Sequence, residues 1–284
     1  MKMKQMILVV LLIAGISYQS KAQVPGVPNA SSTQTIIQEL GLGKVSVTYS
    51  RPNVKARKIF GELVPYGQVW RTGANAATSI DFSENVIING KDIPAGKYAL
   101  FCIPEENEWT IILNKQVDQW GAYTYDQHND FLRFQVKPER VPEEQETFTV
   151  LFTDATTKSV NLTLSWERSN VTMHIATNDD AKIMANIEKL MAGKDIDNLV
   201  YFNCIQYYYV NSKDIEKALK WIAKAEKDYP AKGSYRLYKS RFLLRKGDKA
   251  GAIAAAEEGI RISKSADDGE YLALNQEALE LAKK

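Results

Sequence analysis

Between residues 51 and 75 the chain gathers groups able to hold a charged or hydroxylated ligand: Arg51 in "SRP", Arg57 in "KARKIFG", and Trp70, Arg71, Thr72 and Asn75 in "WRTGAN". Guanidinium groups match carboxylate or phosphate in two-pronged fashion, and an indole face stacks on a sugar ring or an arginine. These residue types can therefore build an anion or sugar site. They suit a structural task equally well. Buried backbone carbonyls need partners, which Arg71 and Asn75 can supply, and Gly73 and Asn75 are ordinary turn formers. At this stage both readings stand.

A second cluster, "YDQHNDFLR", offers Tyr125, Asp126, His128, Asp130 and Arg133. Asp-x-His-x-Asp spacing aims three side chains to one side only on a regular strand. Zinc sites use three or four ligands, and the only other histidine is His174. We therefore expect no metal and no cofactor here, and a salt bridge from Asp130 to one of the upstream arginines. Asp130 and Arg133 join the first cluster as candidate ligand-binding residues.

Catalytic signatures are absent from the sequence. It has no G-x-S-x-G, no H-E-x-x-H and no phosphate-cradling glycine loop. No carboxylate pair suited to glycoside hydrolysis stands out. Cys102 lies in the apolar run "YALFCIP", where a small buried hydrophobe is expected. Cys204 falls in a different segment, so two buried thiols are expected rather than a disulfide. In "YFNCIQYYY", Phe202, Ile205 and Tyr209 share one helical face and are expected in a core, with Tyr201 and Tyr208 directed toward the preceding domain.

The elements that must position these residues come in two kinds. From Lys44 the apolar period is two: Val45, Val47 and Tyr49 alternate with polar neighbours. Further strands are expected at 78–82, 85–89, 97–103, 109–113, 131–136, 146–153, 158–166 and 171–176. Asn89-Gly90 reads as a tight turn, and "WERSN" as a short hairpin between the last two strands. Nine short strands with regular turn chemistry imply an antiparallel β-sandwich or jelly-roll-like domain. At Asn178, read as a helix cap, the period becomes 3.6. Ala218, Ile222 and Ala225 recur 34 residues later as Ala252, Ala256 and Gly259. That spacing resembles the tetratricopeptide repeat, although Lys239 stands where a large apolar residue is usual. The expected organisation is a signal peptide at 1–22, a β domain at 23–176, a connecting helix at 177–197 and a helical hairpin array at 198–284. So short an array is marginal alone, so it is expected to dock on the β domain.

The first 22 residues combine Lys2 and Lys4, an apolar run from Met6 to Ile16 and a small-residue cleavage pattern at Ser20-Lys21-Ala22. The run is shorter than the roughly 20 residues of a membrane span. An exported protein, periplasmic or extracellular, is expected. With a net charge of +2 and no basic block, a nucleic-acid partner is not expected.

The strings "YSRPNVKARKIFGELVPYGQVWRTGANAAT", "GKDIPAGKYALFCIP", "EWTIILNK" and "WGAYTYDQHNDFLRFQVKP" resemble the DUF2911 family, exported proteins known mostly from Bacteroidetes and related bacteria. The resemblance covers roughly residues 44–175. It implies an exported β-rich domain and supplies no catalytic assignment. The chain departs from the pattern at Ala56-Arg57, where many members have Gly-Arg. The function expected is a non-enzymatic ligand- or glycan-binding β domain with a helical tail that contacts a protein partner. The alternatives are an envelope hydrolase acting on polysaccharide or peptide, and a structural envelope assembly factor.

Overall fold

The structure is a computed structural model and describes residues 26–284; the signal-peptide reading of residues 1–22 lies outside them. The chain divides into two compact units after Asn178.

The first unit contains ten strands: β1 (Ser32–Leu40), β2 (Gly43–Arg51), β3 (Thr78–Phe82), β4 (Val86–Ile88), β5 (Lys91–Ile93), β6 (Gly96–Ile103), β7 (Trp109–Asn114), β8 (Asp130–Val136), β9 (Glu139–Thr153) and β10 (Ser159–Ala176). They form a six-stranded sheet ordered β1-β2-β3-β6-β7-β8 and a four-stranded sheet ordered β5-β4-β10-β9. Every pairing is antiparallel. The alternation in β2 does what its period dictates, since Val45, Val47 and Tyr49 are buried while Lys44, Ser46 and Thr48 are not. Residues of both sheets, among them Val47, Ile80, Leu100, Ile111, Val150, Leu162 and Val171, make one hydrophobic cluster. Burying each such side chain contributes about 1.5–3 kcal/mol.

The strand pattern differs from expectation in four places, the simplest being β9, which begins at Glu139 rather than at residue 146. β1 was not anticipated, because two of its inward positions are Gln34 and Gln38. The Gln34 side chain is accommodated by accepting a hydrogen bond from the Tyr49 hydroxyl at 2.7 Å. β5 is a three-residue return from the Asn89-Gly90 turn, whose φ values of 50° and 73° suit a mirror-image hairpin turn. "WERSN" does not reverse the chain. It lies within β10, where two register shifts flank Glu167 at φ 54°, so its turn-like chemistry makes bulges in one long strand.

The second unit has six helices: α1 (Asp180–Met191), α2 (Asn198–Val210), α3 (Ile215–Asp228), α4 (Gly233–Lys246), α5 (Lys249–Ser265) and α6 (Gly269–Lys283). The cap of α1 falls on Asp179, one residue beyond Asn178. Asp197, Asp214, Asp248 and Asp268 each accept a bond from a first-turn amide of the helix that follows. Ala218, Ile222 and Ala225 are fully buried, as are Ala252 and Ala256. A Cβ at Gly259 would run into the Asn275 side chain, so α5 and α6 approach closely there.

α2 departs from its expected one-sided core. Tyr201, Cys204, Ile205 and Tyr208 are buried within this unit's own core, whereas Phe202 and Tyr209 are only partly buried. Tyr201 and Tyr208 tolerate burial because their hydroxyls donate to Asp228 and Glu188. Lys239, at a position where an apolar residue is usual, has its ammonium 3.0 Å from Glu226, which also pairs with Arg236 at 3.4 Å.

Candidate functional site

The "WRTGAN" turn is built around Trp70. Its backbone bridges Cys102 through two hydrogen bonds, 2.7 and 2.9 Å. Its indole is enclosed by Phe60, Trp109, Phe148 and Trp166, lying nearly parallel to Trp166 at 5.8 Å, and its Nε1 donates to the Gly73 carbonyl. The chain then runs through positive φ at Thr72 (57°), Gly73 (141°) and Asn75 (57°). A Cβ at Gly73 would sit 2.8 Å from the Ser50 carbonyl oxygen, so only glycine fits. The fully buried Thr72 hydroxyl lies 3.2 Å from Cys102 Sγ, and the Thr72 carbonyl accepts from Thr78. Burial pushes the Cys102 thiol up to about 12 against the opposing effect of that hydrogen bond, so it stays protonated and inert. Cys204 is likewise a buried free thiol.

Asn75 ties three segments together. Its side-chain amide donates to the Ser31 carbonyl at 3.1 Å and to Ser50 Oγ at 3.3 Å, and its backbone carbonyl accepts from Gly121 N at 3.0 Å. Arg51 donates to the Phe148 carbonyl and Thr149 Oγ1. Arg57 holds its own loop through the carbonyls of Val54 (2.9 Å) and Asn53 (2.6 Å). Arg71 differs from both, because its Nε is buried with no hydrogen-bond partner. The three arginines and Trp70 thus do not converge on one open surface. Of the first cluster, only Asn75 borders the groove described below.

Asp130 does not pair with an upstream arginine; its partner is Arg133, three residues on, at 2.7 Å. β8 begins at Asp130, so the nearer cation is presented by the same strand. Asp130 also accepts from Tyr125 (2.7 Å) and Asn114 (2.8 Å), and Arg133 donates to the Tyr125 hydroxyl. Burial, reinforced by Asp130, raises the Tyr125 phenol to about 12. The exposed His128 contacts Asp126 alone, and among the described residues no group of three or more His, Cys, Asp or Glu is placed to hold a metal ion.

This Tyr125–Asp130–Arg133 clip anchors the end of a strap, residues 115–126, laid over the outer face of the six-stranded sheet. Beneath the strap a small apolar cluster of Ala77, Ala99, Phe101 and Ile112 receives Ala122 and Tyr125. Backbone bonds from Ala77 N to the Gln119 carbonyl and from Gly121 N to the Asn75 carbonyl fix its middle. Between strap and strands lies a groove of about 440 Å³. Its floor carries the hydroxyls of Thr33, Thr48, Ser50 and Ser79, with Lys97 at one side. Its wall is Val117 to Trp120, the Trp120 ring 66% exposed. Sequence reasoning missed this groove. The available signal was the polar alternation on the outward positions of β2 and β3, together with a tryptophan beside Gly121.

A family profile described as "Protein of unknown function (DUF2911)" matches residues 31–175. No curated protein matches. The solution structure of protein BPP2914 from Bordetella parapertussis is 23% identical over 36% of this chain and 87% of that chain, with a TM-score of 0.32. With the profile spanning the strands, the turn and the strap just described, the chain belongs to the DUF2911 family.

Proposed function

We propose that the β unit binds a small polar ligand or glycan in the strap groove without catalysing a reaction on it. The observation that carries this reading is the pairing of a hydroxyl floor with a largely exposed indole wall. Saccharides present hydroxyls at their edges and C–H groups on their faces, and the groove offers a partner for each. Lys97 and Asp118 add one charge of each sign, which suits a neutral ligand better than a polyanion. Asp118 is the single carboxylate in the lining, so the groove supports binding over the alternative of hydrolysis by paired carboxylates. Arg51, Arg57, Trp70, Thr72, Asp130 and Arg133 then serve as the scaffold that holds Asn75 and Trp120 in place.

The test is a calorimetric screen against a panel of glycans and polar metabolites. Trp120→Ala weakens the binder about tenfold or more, roughly 1.4 kcal/mol. A binder whose affinity is untouched by both Trp120→Ala and Lys97→Ala would remove the groove from the reading.

For the helical unit we propose a tetratricopeptide-like array that contacts a protein partner. Arg245 stacks 3.5 Å from the Tyr209 ring centre, and Arg241 lies 5.7 Å from the rings of Tyr209 and Tyr238. Neither guanidinium forms an ion pair among the described residues, and both border a groove with Leu244 and the 48%-exposed Leu281. Two unpaired cations beside apolar surface support contact with an acidic protein segment. Capture of a partner by residues 178–284 alone would favour the structural assembly-factor alternative. Export rests on the sequence of residues 1–22, and N-terminal sequencing of the processed protein is expected to read from Gln23. Among the described residues, no helix is long and apolar enough to cross a membrane.

A further inference from the structure

The two sheets have four edges, and three of them carry features that discourage pairing with another chain. β5 is three residues long. β9 carries Pro142 and a run of charged residues, with two register shifts against β10. β8 is offset by a register shift against β7 and bears the Asp130–Arg133 ion pair. β1 has none of these. It is nine residues long, contains no proline, and runs in unbroken register from Ser32 opposite Arg51 to Leu40 opposite Gly43. Its one charge, Glu39, stands near the hairpin end, and Ile37 is 61% exposed. No strand among the described residues pairs with its other side.

The hairpin turn sets which backbone groups face outward. A two-residue connection makes Leu40 and Gly43 a hydrogen-bonded pair, so the even-numbered residues of β1 bond to β2. The Lys44 carbonyl agrees with this parity, because it turns away from Glu39 to accept from Ser83 N. The backbone N–H and C=O groups of Thr33, Thr35, Ile37 and Glu39 therefore point away from the sheet. The Glu39 carbonyl is capped by the Gln38 amide at 3.0 Å.

We propose that β1 pairs antiparallel with β1 of a second copy of this chain about a two-fold axis at Ile36, joining the two six-stranded sheets into one. This register sets Thr33 against Glu39 of the second copy and Thr35 against its Ile37. It engages every outward-facing residue from 33 to 39 and forms about eight backbone hydrogen bonds. It also keeps the two Glu39 carboxylates at opposite ends, each facing a threonine, so no like charges meet. A single strand pair buries less than the roughly 1,200 Å² at the lower end of stable interfaces. The dimer is therefore weak and concentration-dependent.

The experiment is sedimentation velocity on the purified full chain from about 1 μM to about 1 mM, with a shift from monomer to dimer expected across that range. Thr35→Pro removes an outward N–H and leaves the backbone bonds to β2 intact, at the loss of the exposed Thr35–Thr48 hydroxyl contact; it abolishes the dimer with an unchanged circular dichroism spectrum. Thr35→Lys does the same should the proline variant fail to fold. Ile36→Cys, at the two-fold, gives a disulfide-linked dimer on mild oxidation, because paired α carbons there lie about 4.5 Å apart. Thr33→Cys, facing Glu39 of the second copy, gives none. A chain that stays monomeric throughout, a dimer that survives both Thr35 variants, or equal cross-linking at positions 33 and 36 overturns the proposal.

Discussion

In the β unit several polar side chains of the candidate site hold irregular backbone in place, whereas in the helical unit four buried or half-buried tyrosines tie one regular element to another. Asn75 and Arg57 donate to main-chain carbonyls of loops or a strand end, and Arg51, at the end of β2, donates to the Phe148 carbonyl within β9. In the helices Tyr201 reaches Asp228, Tyr207 reaches Asp180, Tyr208 reaches Glu188 and Tyr235 reaches Asn198, each at 2.7–3.1 Å and each from one helix or its cap to another. Backbone conformation follows the same division. Among the described residues, seven non-glycine residues with positive φ fall in the β unit and two in the helical unit, so the first unit carries most of the local strain. The units should therefore fail for different reasons.

The largest effect is expected at the centre of the β unit. Trp70→Ala removes the ring shared by Phe60, Trp109, Phe148 and Trp166 and costs about 3–5 kcal/mol. Urea unfolding followed by near-ultraviolet circular dichroism measures it. The helical counterpart, Tyr235→Phe, keeps the buried ring and loses only the hydroxyl bond to Asn198, costing about 1 kcal/mol. Equal losses would mean that the helical unit depends on side-chain hydrogen bonds as strongly as the β unit depends on its rings.

Alkali should separate the units next. In the helical unit burial raises the phenols of Tyr201, Tyr207, Tyr208, Tyr235, Tyr238 and Tyr271, with nearby carboxylates adding to the shift at Tyr201, Tyr207 and Tyr208; Tyr207 reaches about 12. In the β unit only Tyr98 and Tyr125 are raised among the described tyrosines. A phenol that stays neutral in the fold but ionises near pH 10 when unfolded stabilises fully below about pH 10. That contribution is lost as the pH rises toward 12. The helical ellipticity at 222 nm is expected to collapse at a lower pH than the fluorescence of the buried tryptophan cluster. Coincident transitions would contradict the division, and Tyr207→Phe should move the helical transition to higher pH.

The change of period from two to 3.6 makes the β-then-α order legible in the chain, because burial of one face is a local property of each segment. β1 was hidden because Gln34 and Gln38 occupy inward positions, and the Gln34 amide becomes tolerable only through Tyr49 on the neighbouring strand. The site was less legible still. Trp70 and Trp120 each lie near a glycine, yet one is enclosed by rings from distant segments and the other is largely exposed. What Arg51 bonds to lies nearly 100 residues away at Phe148 and Thr149. The pairing of Asp130 with Arg133 was within reach, being three residues along one strand, and the rivalry of the upstream arginines concealed it. Long-range contacts decided each of the other cases, and they leave no local pattern to read.

The smallest effect tests the strain in the β unit most directly. Lys55 and Ala56 occupy consecutive left-handed positions at φ 50° and 53°. A Cβ in that region costs about 1–2 kcal/mol relative to the right-handed region, a penalty glycine avoids. This gives a physical reason for the Gly-Arg wording in many members of the family. Arg57 then bonds back to the carbonyls of Val54 and Asn53, closing the loop over the two strained residues. Ala56→Gly is expected to relieve the strain at Ala56 while making the unfolded chain more flexible, which offsets part of the gain. The net stabilisation should be about 0.5 kcal/mol, read as a small rise in the urea midpoint with an unchanged slope. In the helical unit, Asp267→Gly at φ 53° offers the matched control. A clear gain at position 56 with an equal gain at 267 would show that left-handed strain burdens both units alike. A gain confined to position 56 would locate it in the irregular loops of the β unit.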